Sequence, residues 1–490
     1  MKENKILIIN PPRFEGKNVR RDERSADILE TEVSPFYQGA VLAEYLRRET
    51  GATVKVLDAN GLDLDYRAVG RFVEEHKDYE YAIIKAADDT LLHDVEAGRL
   101  AKRQGLKTLL WEPILSPAEP EKILRLVNRD GAAVDYLILG EAELTTADFL
   151  EKGEAGRGLA YLKEGKFFLN RREECDRLAD LERLPIPDFR DLPVENYRSW
   201  FGEGPWMTLF TSRGCPGRCN FCLIGGSNVF RGYGGRIRTM SASRIADEVE
   251  ILIKKHGVKH ITFWDDCFTL DHKRVLDFCG EVRRRKLRFR WSCMSRADTV
   301  DEELLVRMKE AGLRRIGFGV ESGSQRILDS IPKKTTVAQN SKAISLSKKH
   351  GIWVWIYLIV GLPEEDRESV EETIAFLKKS KPDYLFLGCN TPFPGTVNFQ
   401  TCLDNHLFSQ DVIDAITRGK IITGAKAQAA SKHLTVKEVE EAKYRLHKAF
   451  VLSSPKIIMK KLIENRRRLG FGYLKEKINY FFKRHEDPHR

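Results

Sequence analysis

Short apolar runs alternate with amphipathic stretches over the first 150 residues. Lys5–Asn10 is a continuous apolar run, Tyr37–Arg47 has helical spacing, and Val54–Asp58 is apolar again. Apolar strands that alternate with helices predict a parallel, doubly wound α/β sheet covered on both faces. The same pattern predicts three more strands, at Tyr81–Lys85, Thr108–Trp111 and Asp135–Leu139.

A second alternation of strands and helices begins at Pro205. Its six predicted strands are fewer than the eight of a closed (β/α)8 barrel. We therefore predict a partial (β/α)6 TIM-type barrel over residues 200–400, closed by other segments. Its predicted strands are Trp206–Ser212, His260–Asp265, Arg290–Ser295, Arg315–Glu321, Val354–Val360 and Tyr384–Leu387.

The segments between and after these two units have weaker patterns. The pattern over residues 151–199 predicts a linker that contains a small hairpin at Leu159–Leu169 and the proline-rich stretch Leu184–Asp188. The pattern over residues 401–490 predicts a helical, basic C-terminal region. The chain is thus divided at 150, 199 and 400 into a doubly wound unit, a linker, a partial barrel and a helical region.

Composition places the chain among soluble globular proteins, with 42% hydrophobic and 31% charged residues. The apolar run at the N-terminus is too short for a signal peptide, and the longest apolar stretch, Ile352–Leu362, is too short to span a bilayer. We expect a cytoplasmic protein. Its nine cysteines would then be reduced, so that clustered ones indicate metal binding or catalysis.

Three cysteines fall within eight residues, with the spacing C-x3-C-x2-C. They follow a predicted barrel strand, at the end where barrel active sites gather. Three thiolates on a 4Fe–4S cluster leave one iron open to a chelating ligand. Gly214 and Gly217 would allow a tight loop. We predict that Cys215, Cys219 and Cys222 bind such a cluster.

Two alternatives remain open for the cysteines. A structural zinc site needs four ligands, for which His256 or His260 would have to be the fourth. The chain would then be a non-catalytic zinc or iron–sulfur protein. The remaining six cysteines are expected to be buried hydrophobes, although one of Cys267, Cys293 and Cys389, near strand ends, could donate hydrogen or a proton.

The cysteine segment, with Phe221 before its last cysteine, resembles the radical S-adenosylmethionine superfamily. The sheet ahead of the barrel resembles the Rossmann-like, cobalamin-binding-type domain of one subgroup. The resemblance implies a 4Fe–4S cluster and S-adenosylmethionine as cofactors. Trp264-Asp265-Asp266 stands where the family has Gly-Gly-Glu, and Tyr357 replaces the leading glycine of the adenine-binding segment. The implied S-adenosylmethionine contacts, each of which could instead be a structural residue, are Phe221, Asp265, Asp266, Arg296, Glu321, Gly361 and Glu364.

Cobalamin is a third expected cofactor. A histidine lower ligand would appear in D-x-H-x-x-G after the first strand, but Arg13 occupies the histidine position here. Arginine stays protonated and cannot ligate cobalt. Cobalamin would therefore bind without a protein ligand, or the domain has kept the fold and lost the cofactor. We favour binding, at the carboxyl edge of the sheet, with Pro12, Arg13, Asp58 and Glu141 as candidate contacts.

The implied chemistry starts with one electron from a ferredoxin- or flavodoxin-like donor. Cleavage of S-adenosylmethionine gives a 5′-deoxyadenosyl radical, which removes hydrogen from an unactivated carbon. With cobalamin, the enzyme would be a class B C-methyltransferase. Without it, the reaction would be carbon–carbon bond formation, cyclisation or dehydration. The sequence identifies neither the substrate nor a catalytic acid or base.

Almost all of the net charge of +10 lies in the last 60 residues, which carry +9. A basic amphipathic segment at Pro455–Arg484 is typical of contact with an anionic membrane surface, and would suit a lipid-like substrate. The alternative is a solvated helical cap over the barrel mouth. Nucleic-acid binding is not favoured, because no aromatic stacking platform accompanies the charge.

Overall fold

The computed structural model describes residues 4–21, 26–29, 32–111, 119–171, 178, 180–200, 203–225, 237–417 and 426–453. Two large sheets lie within these residues, together with two small two-stranded antiparallel sheets. Cys175, Glu112 and Pro113 lie outside the described residues, as does the basic segment Pro455–Arg484. The proposed membrane contact of that segment therefore stays a prediction.

The first sheet has the order β4-β1-β5-β6-β7-β8-β9, with the first five strands parallel. Its parallel part follows the flavodoxin-like order, in which ligands bind where the strand order reverses. The doubly wound prediction is confirmed. The strands up to this point in the chain are β1 (Lys5–Asn10), β2 (Asn18–Arg21), β3 (Ala26–Leu29), β4 (Thr53–Asp58), β5 (Tyr81–Lys85), β6 (Lys107–Trp111), β7 (Tyr136–Ile138), β8 (Leu159–Lys163) and β9 (Lys166–Asn170).

The hairpin β8–β9 forms where the sequence predicted one, but it does not belong to a separate linker. β8 pairs antiparallel with β7, so that the hairpin extends the edge of the first sheet. Tyr161 on β8 packs against Tyr136 of β7, with ring centroids 5.7 Å apart. The local pattern predicted the turn, whereas the pairing partner depends on the far side of the sheet.

The second sheet is the predicted partial barrel, with six parallel strands paired in chain order. A two-stranded ladder at its carboxyl edge pairs the start of the cysteine loop with a later segment. The strands are β10 (Trp206–Leu209), β11 (Ser212–Arg213), β12 (Arg238–Thr239), β13 (His260–Phe263), β14 (Arg290–Ser295), β15 (Leu313–Glu321), β16 (Trp353–Val360) and β17 (Tyr384–Cys389).

Helices cover the outer faces of both sheets. Several begin at a Ser, Thr or Asp whose side chain accepts a backbone N–H of the first turn, as at Ser241 and Asp271. The helices are α1 (Tyr37–Thr50), α2 (Tyr66–Glu75), α3 (Leu91–Asp94), α4 (Glu96–Arg103), α5 (Pro120–Val127), α6 (Ala142–Lys152), α7 (Ala242–His256), α8 (His272–Arg284), α9 (Glu302–Glu310), α10 (Gln325–Ser330), α11 (Val337–Lys349), α12 (Arg367–Ser380), α13 (Val397–Asp404), α14 (Gln410–Thr417) and α15 (Val436–Ser453).

One hydrophobic core runs through both units. Ile6 and Ile8 belong to it, while Leu7 and Ile9 face a second core on the other side of β1. The shared core continues to Tyr37 of α1, which stacks on Phe210 at the entrance of the cysteine loop, with centroids 6.0 Å apart. Within the described ranges, no helix combines the length and the apolar character needed to cross a bilayer.

Candidate functional site

The cysteine loop leaves the carboxyl end of β10 and is anchored at its start by a buried carboxylate. Asp265 accepts hydrogen bonds from the backbone N–H of Thr211 at 2.6 Å, from its hydroxyl at 2.6 Å and from Ser212 N–H at 3.3 Å. Arg274 of α8 binds Asp265 at 3.4 Å and the Thr211 carbonyl at 3.2 Å. Asp265, predicted to contact S-adenosylmethionine, therefore has its oxygens directed at the protein and positions the loop.

The three cysteines of the loop lie close to one another. Burial raises the pKa of each thiol to about 11, and each also feels the charge of at least one other cysteine of the set. Cys222 N–H donates to the Cys219 carbonyl at 3.0 Å. A Cβ on Gly217 would lie 3.3 Å from Cys215 Sγ, which is a tight contact, and 3.7 Å from Cys219 Sγ, so a side chain at this position would crowd the Cys215 thiol.

A single-ion site with a histidine as fourth ligand does not match this geometry. His260 is held between Glu203, 3.1 Å from Nδ1, and the Ser292 hydroxyl, 3.1 Å from Nε2. His256 packs edge-on against Phe189. Over the described part of the chain, no three His, Cys, Asp or Glu side chains are arranged to hold one metal ion. A four-iron cluster is wider than a single ion, and each thiolate binds a different iron. Thiols that lie near one another without converging on one point are therefore compatible with such a cluster.

A cationic wall faces the loop on one side. Arg296 donates to Asp298 Oδ2 at 2.8 Å and to the Lys333 carbonyl at 2.7 Å, and its Nη1 lies 3.6 Å from where a Gly217 Cβ would be. Lys333 forms a buried ion pair with Glu321. Both cations favour the thiolate of Cys219, against the larger effect of burial. The sequence predicted Arg296 and Glu321 but not Lys333, which no spacing rule identifies.

The remaining predicted S-adenosylmethionine contacts lie in different environments. Phe221 packs against a small apolar cluster of Ile327, Leu328 and Leu362, and Asp266 is close enough to raise the pKa of Cys215 and Cys222. Glu364, by contrast, binds Lys432 at 2.5 Å near the surface. The structure thus brings Phe221 and Asp266 to the cysteine loop but directs Glu364 towards the C-terminal region.

Gly361 adopts φ +85° where β16 ends, and a Cβ there would lie 2.7 Å from Val439 Cγ1 of α15. Its N–H donates to the neighbouring Glu365 carboxylate, which is 1% exposed. Burial raises the pKa of Glu365 to about 7. The sequence does not point to Glu365, because nothing in the local pattern separates it from Glu364.

Glu365 gives the fold a specific pH dependence. Because its pKa is about 7 when folded and 4.5 as a free group, the stability that it contributes is complete below pH 4.5 and is lost as pH rises through 7. The loss amounts to about 3 kcal/mol. We expect urea unfolding at pH 5.5 and 8 to show about 2 kcal/mol of this loss in the parent chain, because part of it has already occurred by pH 5.5, and we expect Glu365→Gln to remove it. An unchanged pH dependence in Glu365→Gln would contradict the assignment.

The cysteine loop is tied to the first sheet by buried ion pairs. Arg213 of β11 binds Glu143 of α6 at 2.6 Å, with side chains 13% and 5% exposed. Arg238, its partner across the β11–β12 ladder, binds Glu141 at 2.6 Å. Burial alone would raise the pKa of Glu141, but the positive charges of Arg213 and Arg238 outweigh this effect and hold the pKa below its usual range. Glu141, predicted to contact cobalamin, is therefore engaged by the barrel.

Breaking this connection should loosen the cysteine loop. Glu143→Gln removes the nearer of the two carboxylates at Arg213 and leaves this buried cation with Glu141 alone, 3.6 Å away, at a cost of at most about 3 kcal/mol in unfolding free energy. We expect lower iron incorporation per chain as well. Glu151→Gln, on the exposed side of the same helix, is the control, with an expected change within about 0.5 kcal/mol. Equal iron content and stability in the two variants would argue against this role of Glu143.

The other predicted cobalamin contacts lie at the carboxyl edge of the first sheet. Asp58 accepts from Asn10 at 2.7 Å, from Gly61 N–H at 2.9 Å and from the Tyr197 hydroxyl at 2.7 Å, and burial raises its pKa. Arg13 pairs with Asp63 at 2.8 Å. The Asp58 oxygens are thus engaged by protein groups.

The crevice between β1 and β5, where the strand order reverses, contains a buried ion pair. Arg21 binds Asp94 at 2.7 and 2.9 Å and donates to the carbonyls of Pro11 at 3.0 Å and Pro12 at 2.9 Å. Asp94 also accepts from Ala87 N–H at 3.0 Å. A ligand that enters this crevice has to displace the pair or pass beside it.

Unpartnered polar groups lie near the same edge. Both amide atoms of Gln38 are buried without a hydrogen bond, as are Asn18 Oδ1, Asn60 Nδ2 and Trp264 Nε1. Asn60 binds Val19 N–H at 2.9 Å, and the Arg20 guanidinium lies 4.7 Å above the Trp264 ring. Trp264 follows barrel strand β13, so the contact between Arg20 and Trp264 joins the carboxyl edges of the two sheets. The buried amide and indole groups without hydrogen-bond partners lie around this junction.

Sequence comparisons agree with this geometry. The radical SAM superfamily profile matches residues 209–377. An uncharacterised methyltransferase of Pyrococcus horikoshii is 30% identical over 95% of this chain and 96% of that protein. The chain belongs to the radical SAM superfamily. Radical SAM enzymes use a 4Fe–4S cluster and S-adenosylmethionine, and the three thiols of the loop suit such a cluster. The anaerobic magnesium-protoporphyrin IX monomethyl ester cyclase of Rubrivivax gelatinosus is 31% identical over 56% of this chain and half of its own length.

Solved structures share the fold of this radical SAM protein. The methyltransferase TsrM of Kitasatospora setae, solved with cobalamin and a 4Fe–4S cluster, has a TM-score of 0.66 and 17% identity over 82% of this chain and 78% of its own. The cobalamin-dependent radical enzyme OxsB, solved with aqua-cobalamin, has a TM-score of 0.62 and 20% identity, and the match covers 91% of this chain and 62% of the OxsB chain. The Rossmann-like domain ahead of a TIM-like barrel is confirmed.

The structure separates the three cysteines considered as hydrogen or proton donors. Cys293 is fully buried in the core on the outer face of β14. Cys389 faces α15, where Lys443 favours its thiolate, although burial raises its pKa to about 11. Cys267 lies 3.5 Å from the Thr299 hydroxyl and near enough to raise the pKa of Cys215. Of the three, Cys267 is the one beside the cysteine loop.

Proposed function

We propose that this radical SAM protein is a cobalamin-dependent methyltransferase that methylates an unactivated carbon. The observation that carries the proposal is the junction of the two carboxyl edges, where the cysteine loop meets a surface of unpartnered amide and indole groups. Cobalamin carries many amide side chains, which would satisfy Gln38, Asn18 and Asn60. The relation to a methyltransferase along nearly the whole chain supports the same reaction class.

The residues have distinct tasks in this proposal. Cys215, Cys219 and Cys222 would hold the cluster, which supplies the electron that splits S-adenosylmethionine into methionine and a 5′-deoxyadenosyl radical. Arg296 and Lys333 would offer positive charge beside the cluster, where a carboxylate of the bound S-adenosylmethionine is favoured. Asp265 and Glu143 fix the loop that carries the thiols. Cobalamin at the junction would supply the methyl group.

A second candidate is a radical enzyme that couples, cyclises or dehydrates its substrate without cobalamin. The observation that favours it is the Arg21–Asp94 pair in the crevice between β1 and β5. The two candidates differ in whether the first sheet binds a cofactor at all.

The test is anaerobic reconstitution of the full chain with iron, sulfide and hydroxocobalamin, followed by gel filtration and optical spectra. We expect one cobalamin per chain to co-elute, and Gln38→Leu together with Asn60→Leu to reduce retention. Retention of the cluster with reductive cleavage of S-adenosylmethionine, but without cobalamin, would favour the second candidate. A chain that binds iron but never cleaves S-adenosylmethionine would be a non-catalytic iron–sulfur protein.

A further inference from the structure

Strand β2 lies between the junction of the two sheets and the crevice of the first sheet. Successive side chains of a strand point to opposite faces. The Arg20 guanidinium lies 4.7 Å from the centroid of the Trp264 ring at the junction. Arg21 is directed into the crevice instead, where its side chain is 1% exposed and pairs with Asp94. β2 therefore forms a partition, with the junction on one side and the crevice on the other.

The Arg21–Asp94 pair closes the crevice between β1 and β5. Every nitrogen of the Arg21 guanidinium donates, to Asp94, to Asn10 Oδ1 at 3.2 Å or to a carbonyl of the loop after β1. Asp94 also accepts from the Thr90 hydroxyl at 2.7 Å and from Ala87 N–H at 3.0 Å. A ligand between the two loops would have to break a buried ion pair whose partners are fully hydrogen-bonded, which is strongly unfavourable.

A second contact joins the same two loops nearer to solvent. Phe14, in the loop after β1, meets His93 of α3 edge-on, with ring centroids 5.2 Å apart. Tyr66, at the start of α2, meets His93 at 5.0 Å and donates to its carbonyl at 2.5 Å. Phe14 and His93 are partly exposed, whereas the ion pair is buried. The mouth of the crevice is therefore bordered by packed rings.

The junction differs from the crevice in its unsatisfied polar groups. Gln38, Asn18 and Trp264 have buried polar atoms without a hydrogen-bond partner among the described residues. Such atoms are costly to leave unpaired, and the amide groups around the corrin ring of cobalamin would pair with them. Cobalamin also carries a nucleotide arm, and nucleotides bind doubly wound sheets at the crevice where the strand order reverses. In this chain that crevice is closed and lies behind β2.

We propose that the chain binds cobalamin by its corrin ring at the junction and leaves the nucleotide arm outside the first sheet, with the benzimidazole of the arm still on cobalt. The inference rests on the proposed cobalamin-dependent function and adds the form in which the cofactor is bound. Arg21 and Asp94 exclude the arm from the crevice. Arg13 does not replace the benzimidazole, because arginine stays protonated and cannot ligate cobalt.

The test compares cobalamin with cobinamide, which has the same ring without the nucleotide arm. Equilibrium dialysis with the reconstituted full chain gives the two affinities. Electron paramagnetic resonance of the bound Co(II) forms, with the cluster oxidised and therefore silent, shows whether a nitrogen ligates cobalt, because ¹⁴N splits each cobalt line into three. We expect affinities within about threefold of each other, a nitrogen triplet for bound cobalamin and none for bound cobinamide.

Two double variants test the ion pair itself. Arg21→Ala with Asp94→Ala removes the pair and leaves space in the crevice. Arg21→Met with Asp94→Leu removes the charges but keeps the crevice filled by apolar side chains, a replacement that buried ion pairs often tolerate. We expect the alanine variant to bind cobalamin several times more tightly than cobinamide, and the Met/Leu variant to bind the two equally. Equal binding in both variants would show that the pair does not exclude the arm.

The parent chain decides the proposal even if the alanine variant does not fold. Cobalamin binding at least about tenfold tighter than cobinamide, or bound cobalamin without a triplet, would overturn the inference and leave the proposed function intact. A triplet in bound cobinamide would show a protein nitrogen on cobalt and would also overturn it. Retention of neither corrinoid by a chain that cleaves S-adenosylmethionine would refute cobalamin dependence itself, and the inference with it.

Discussion

Cys219→Ala is expected to abolish both cluster binding and reductive cleavage of S-adenosylmethionine. Cys219 lies between the other two cysteines of the loop, beside Arg296 and Lys333. Two thiolates cannot replace three in holding a cluster with a single open iron. Iron and sulfide content, the optical spectrum and 5′-deoxyadenosine formation under dithionite measure the effect.

Cys279→Ala is the control for this variant. Cys279 is buried on α8, and burial raises its pKa to about 12, so it behaves as an apolar core residue. Its replacement should cost about 1 kcal/mol of stability and leave iron content and cleavage at the parent level. Full cleavage activity in Cys219→Ala would contradict the assignment of the cluster to this loop.

Asp265→Asn is expected to have the second-largest effect, although Asp265 binds no cofactor in this account. An amide in its place would direct N–H donors at the Thr211 hydroxyl and at Arg274, leaving a buried guanidinium without its anion. The expected loss is about 3 kcal/mol in unfolding free energy, with reduced iron incorporation because the loop entrance shifts. Chemical denaturation and iron analysis of the same preparation measure both.

Asp247→Asn is the matched control for Asp265→Asn. Asp247 also pairs with an arginine, Arg285, but its side chain is 47% exposed. Water replaces such a partner, so the expected change is below about 1 kcal/mol with full iron content. Similar losses in the two variants would show that Asp265 has no special part in holding the loop.

The sequence was sufficient to predict those features that depend on local pattern. β1 and β5 are continuous apolar runs, and their bounds agree with the prediction because buried parallel strands admit few polar residues. The cysteine loop was found for a similar reason. Its three ligands lie within eight residues, so their spacing alone indicates the chemistry.

What the sequence missed depends on contacts between distant segments. Acidic residues at strand ends suggested cofactor contacts for Asp265 and Glu141, but Arg274 and Arg238 engage them from elsewhere in the chain. Lys333 and Gln38 carry no local signal at all. The partner of a charged side chain is set by tertiary packing, which a one-dimensional pattern does not contain.

The junction also explains why the two units depend on each other. Arg213 precedes Cys215 by two residues and is bound to the first sheet, so a displacement of that sheet moves the start of the cysteine loop. A ligand that forms hydrogen bonds with the unpartnered groups of Gln38 and Trp264 would bind at the same junction. Cofactor binding by the first sheet and cluster geometry in the barrel are therefore expected to be coupled.

The most direct measurement is electron–nuclear double resonance on the reduced, reconstituted chain with S-adenosylmethionine that carries ¹⁵N at its amine. A cluster held by Cys215, Cys219 and Cys222 alone should show a ¹⁵N coupling, because the amine binds the iron that the protein leaves open. A fully formed cluster without that coupling, or a metal closed by a fourth side chain, would contradict the account.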